Sequence, residues 1–78
     1  MSIQVVFFSF AAERMNARQL TVEVPEGATV AEVFAPFRDR LGAAETRFLF
    51  AVNDEWAEMD QTVRAGDVVA VIPPVAGG

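Results

Sequence analysis

The chain has 78 residues, with eleven Asp plus Glu against six Lys plus Arg, a formal charge of −5, and neither His nor Cys. A single domain of this size must stand on one hydrophobic core, without disulfides or thiolate-held metals. The negative balance excludes a nucleic-acid binder, which needs clustered basic residues, and favours a partner with a basic face. No charged leader with an apolar h-region opens the chain, and no apolar run is long enough to span a bilayer. The expected setting is therefore cytoplasmic, away from membranes. All the basic residues are Arg, and Tyr is also absent. Acid–base or nucleophilic catalysis would rest on carboxylates and on hydroxyls without a base, so an autonomous enzyme is not expected.

The first element is "SIQVVFFSF", Ser2 to Phe10, apolar and β-branched or aromatic throughout, which predicts a central strand. Its period of two puts Ile3, Val5 and Phe7 on one face and Val6, Phe8 and Phe10 on the other. "AAERMNARQ" reads as a polar connection. "LTVEVP" alternates, with Leu20, Val22 and Val24 inward, and Pro25-Glu26-Gly27 closes it as a turn. These two strands pair as a hairpin in this reading.

"TVAEVFAPFRDRLG" is the helix. Thr29 with Glu32 makes a capping box, Gly42 stands where a C-terminal cap belongs, and Val30, Val33, Phe34, Phe37 and Leu41 share one face. Pro36 lies too deep for the free first turn, so it deprives the Glu32 carbonyl of its partner and bends the helix. "RFLFAVN", Arg47 to Asn53, is a third strand ending in an Asn-Asp turn. "DEWAEMDQTVRAGD" reads as an acidic connection, and "VVAVI" as a last strand buried on both faces and stopped by Pro73-Pro74. The order predicts an α+β fold, a mixed four- to five-stranded sheet with one main helix across it and the last strand central beside the first. That is the β-grasp arrangement. It divides the chain into a body, residues 1–72, and an extended tail, residues 73–78.

The tail carries the most specific signal. The chain ends "AGDVVAVIPPVAGG", Ala65 to Gly78. Together with Phe7-Phe8 and "AVN" (Ala51 to Asn53), this ending resembles the MoaD family, the ubiquitin-like small subunit of molybdopterin synthase. The resemblance covers essentially the whole chain. It implies a sulfur carrier rather than a catalyst, acting in molybdenum cofactor biosynthesis. An E1-like adenylating enzyme uses ATP to turn the Gly78 carboxylate into an acyl-adenylate, and a sulfur donor displaces AMP to leave a thiocarboxylate. The tail then enters the large synthase subunit and gives sulfur to the molybdopterin dithiolene, in a heterotetramer built on a large-subunit dimer. No cofactor or metal is expected on this chain, since the ATP belongs to the partner enzyme. Departures from the family pattern are the connection "ERMNARQ", Trp56 where Tyr is common, and Pro36.

The residue types suit that chemistry. Without side chains, Gly77 and Gly78 can thread a narrow channel. Pro73 and Pro74, lacking amide donors, end strand pairing and launch an extended tail. From Pro73 onward the tail can reach roughly 20 Å. Pro73, Pro74, Val75 and Ala76 are thus expected against the partner. If the helix covers the Ile3, Val5, Phe7 face, the residues Val6, Phe8, Val68, Ala70 and Ile72 share the open face. Phe8 and Ile72 are then the leading docking residues. Asp54, Glu55, Glu58 and Asp60 lack calcium-loop spacing and read as a solvated connection whose charge could steer docking. Trp56 is expected to be a partly buried anchor under its loop, and Asn53, Arg64 and Asp67 to be turn residues.

Rival readings keep the fold and change the tail's task. A carrier for thiamine synthesis or tRNA thiolation shares the tail chemistry, though "PPV" with "AVN" favours molybdopterin. A non-catalytic ubiquitin-like interaction module would function without Gly77 and Gly78. A protein modifier would join Gly78 to target lysines. A ferredoxin is excluded, because no cysteine can hold an iron–sulfur cluster.

Overall fold

The computed structural model describes residues 1–43 and 46–74. Its strands are β1 (Ser2–Phe7), β2 (Gln19–Glu23), β3 (Leu49–Val52), β4 (Glu55–Ala57) and β5 (Val68–Ile72). Its helices are α1 (Phe10–Met15), α2 (Val30–Phe34) and α3 (Arg38–Leu41), the last two joined by a 3-10 turn over Ala35–Phe37. The five strands form one mixed sheet in the order β2-β1-β5-β3-β4. β5 lies parallel to β1, while β2 is antiparallel to β1 and β3 is antiparallel to both β5 and β4. The ubiquitin-like β-grasp expected from element order is the architecture observed.

The capping box forms as the spacing predicts. The Thr29 hydroxyl accepts from the Glu32 amide, and the Glu32 carboxylate accepts from the Thr29 amide, each at 3.3 Å. Pro36 does not break the run. It occupies the 3-10 turn, which tightens the helix between two short α segments and keeps one side facing inward. Val30, Val33, Phe34, Phe37 and Leu41 are all buried. They pack on Ile3, Val5 and Phe7 from β1, Val69 and Val71 from β5, and Phe48, Phe50 and Val52. Phe34 is central, its ring centroid 4.9 Å from Phe50 and 5.6 Å from Phe48. None of the described buried residues is polar or charged.

Two connections differ from expectation. β1 ends at Phe7, not Phe10, because Ser9 turns left-handed at φ 53° and the chain enters α1. Phe10 therefore leaves the open sheet face and packs partly buried against Phe48, with the Arg14 guanidinium 4.7 Å from its ring centroid. α1 is held by tertiary contacts: Arg14 donates to the Leu41 carbonyl, and Arg40 donates to the Arg14 carbonyl. The acidic connection also contains β4, paired with β3 through a two-residue turn in which Asn53 and Asp54 both take positive φ.

Asn53 does more than turn the chain. Its side-chain oxygen accepts from the Val68 amide at 3.0 Å, and its nitrogen donates to Asp67 at 2.9 Å. Asp67 in turn accepts from the Arg64 amide at 2.8 Å. The β3–β4 turn is thereby fastened to the start of the central strand. Asn53→Ala should lower stability by about 1–3 kcal/mol, from left-handed strain and the unpaired Val68 amide. Urea unfolding beside Asn53→Gly, which keeps the conformation but loses both bonds, separates the two contributions.

Candidate functional site

Topology places the strand end from which the tail starts. β5 runs through the middle of the sheet between β1 and β3, so its carboxyl end emerges from the best-supported position in the fold. The pairing continues to Phe8, whose amide donates to the Val71 carbonyl at 3.2 Å. Pro73 is buried against the body and Pro74 is exposed. Val75, Ala76, Gly77 and Gly78 lie outside the described residues.

Around that exit the uncovered sheet face is apolar. Period two sends Ile3, Val5, Phe7, Val69 and Val71 to the helices, leaving Val6, Phe8, Val68, Ala70 and Ile72 opposite. Ile72 sits in register with Leu49 on one side, and Phe8 follows the Phe7–Val71 pair on the other. A second row runs from Val6 through Ala70 and Ala51 to Trp56. Phe8 is 48% exposed, Leu49 45% and Trp56 71%, whereas Ile72 is half-buried between its neighbours. Three large exposed apolar side chains share this face, Phe8 and Leu49 beside the β5 end and Trp56 at the β4 edge, which makes it a candidate interaction surface.

The structure thus brings Phe8 and Ile72 together at the tail exit and adds Leu49 and Trp56. Leu49 was legible in principle, being out of phase with Phe48 and Phe50. Trp56 corrects an expectation: it is no buried anchor but the most exposed of these residues, because β4 pairs it with Ala51 on the open face. The carboxylates of residues 54–60 are exposed, and no group of three or more metal-ligand side chains comes together among the described residues. No helix among those residues is long and apolar enough to cross a membrane.

Such a face beside the end of the central strand can dock on another protein. Comparisons with known proteins show the family. The ThiS family model matches residues 5–78. The human molybdopterin synthase sulfur carrier subunit is 32% identical over 97% of this chain and 93% of its own. SAMP1 of Haloferax volcanii, a small archaeal modifier protein, has a structure similar at TM-score 0.83 and 28% identity, with both chains fully covered. A chain of the Amycolatopsis orientalis BexX/CysO complex is similar at TM-score 0.67 and 28% identity, over 97% of this chain and 99% of that one.

Proposed function

Since the chain is a MoaD-like member of the ThiS family of sulfur carriers, a carrier subunit rather than a catalyst, we propose that it carries sulfur for molybdopterin synthesis as a thiocarboxylate on Gly78. The Gly78 carboxylate attacks the α-phosphate of ATP within an adenylating enzyme, releasing pyrophosphate. A sulfur donor then displaces AMP, and the loaded tail enters the large synthase subunit. The observation that carries this reading is the apolar face around Phe8, Ile72 and Leu49, set where the chain leaves the central strand toward Gly77-Gly78. That placement lets the body stop against a partner while the tail continues inside. Likeness to the human carrier over nearly the full length supports the choice of acceptor.

The test is transfer. Loaded carrier, mixed with the large synthase subunit and the cyclic pyranopterin precursor, should yield the dithiolene product. A thiazole-forming synthase should take no sulfur from it. The reverse preference would make this the thiamine-pathway carrier. A second reading comes from the likeness to SAMP1, a modifier protein. It predicts amide adducts between Gly78 and target lysines, which peptide mass mapping of cell extracts would reveal.

A further inference from the structure

Charge is divided along the strands. Among the described residues, Arg14, Arg18, Arg38, Arg40 and Arg47 lie at the end where the tail leaves, against Glu13, Asp39 and Glu58. Arg18 offers its carbonyl to the Phe7 amide, α1 is tied to α3 by Arg14 and Arg40, and Arg47 lies two residues before Leu49, the strand start that pairs with Ile72. The opposite end carries Glu23, Glu26, Asp54, Glu55 and Asp67, with Arg64 the basic residue there. Among the described residues the tail-exit end is therefore basic, although the net charge of the chain is −5.

A cleft of about 400 Å³ opens beside that end, between α3 and the β3–β4 edge. Its floor is apolar, from Phe34, Phe48, Phe50 and Met59, and Leu49 and Trp56 stand at its side. Arg38 and Arg47 line it, with Glu58 as its carboxylate. Both arginines are exposed, and neither has a carboxylate within salt-bridge distance among the described residues. Leu49 and Trp56 line the cleft and also belong to the open sheet face, so cleft and face share an edge.

We propose that this cleft receives a segment of the tail-accepting protein in which carboxylates flank a bulky apolar side chain, the carboxylates meeting Arg38 and Arg47. The inference rests on the carrier reading and deepens it. An anionic segment is attracted to this end and repelled by the carboxylates of the other, so the charge division fixes which way round the partner docks. Rim charges of this kind act through association rate and weaken with salt.

The experiment uses the full chain and the large molybdopterin synthase subunit of the same organism. Arg38→Glu, Arg47→Glu and Arg64→Glu change net charge equally, but only the first two lie at the cleft. At about 50 mM salt, the cleft variants should bind about five- to tenfold more weakly through slower association, converging on the parent chain near 500 mM. Arg64→Glu should stay within about twofold at both salts. Circular dichroism melting verifies that all three fold. Equal loss in all three, or loss unaffected by salt, would overturn the proposal, as would failure of the parent chain to bind. Sulfur loading of the same proteins, read by intact mass, separates these outcomes from a failure of the carrier reading itself.

Discussion

Phe8→Asp is expected to weaken binding to the large synthase subunit by about 100-fold or more, an interface loss of about 3–4 kcal/mol. Phe8 stands beside Ile72 at the tail exit and is 48% exposed, so the free protein gives up little core when it changes. With Phe8 at the proposed docking face, a carboxylate in its place would be buried without a partner in the complex. Titration calorimetry would show the loss, and thermal unfolding should move only slightly. Parent-like affinity with a normal melt would place the docking face elsewhere.

Phe34→Ala acts on the fold instead. The ring is 2% exposed and wedged against Phe48 and Phe50, so truncation should cost about 3–5 kcal/mol from lost transfer energy and cavity. A domain of this size has roughly 4–12 kcal/mol in all. The variant should be partly or wholly unfolded at working temperature, and Phe34→Leu, which keeps more volume, should be clearly milder. Denaturant unfolding provides the comparison. A loss below about 1 kcal/mol would mean that the core does not centre on this ring.

What could be read from the sequence follows from how strongly each residue's choice is local. The helix needed only its own spacing: Thr29 and Glu32 cap it, and the buried positions from Val30 to Leu41 recur on one face. β5 announced its central place through an apolar run with no polar phase. α1 was hidden because its six residues are too few to be helical by propensity. It depends on Arg14 reaching the Leu41 carbonyl of α3 and on Arg40 of α3 reaching back to the Arg14 carbonyl, contacts between residues distant in sequence. β4 was hidden likewise, since "EWA" has no pattern of its own and becomes a strand only by pairing with Phe50, Ala51 and Val52.

The candidate site shows the same division. Alternation along β1 and β5 was enough to put Phe8 and Ile72 on an open face together. Trp56 required knowing that β4 exists, since in a loop an aromatic of that size is expected to fold inward. The grouping of arginines at the tail-exit end lies beyond sequence reading altogether, because it joins α1, α3, the residue before β2 and the segment leading into β3.

The central claim, that Gly78 carries activated sulfur, is tested most directly by intact mass. The chain is incubated with ATP, the cognate adenylating enzyme and a sulfur donor, beside a version lacking Gly78. The expected result is a mass gain equal to exchanging one oxygen for sulfur in the full chain and none in the truncated one. An unchanged mass, while the same adenylating enzyme loads another carrier in parallel, would contradict the account and leave an interaction module on the same fold.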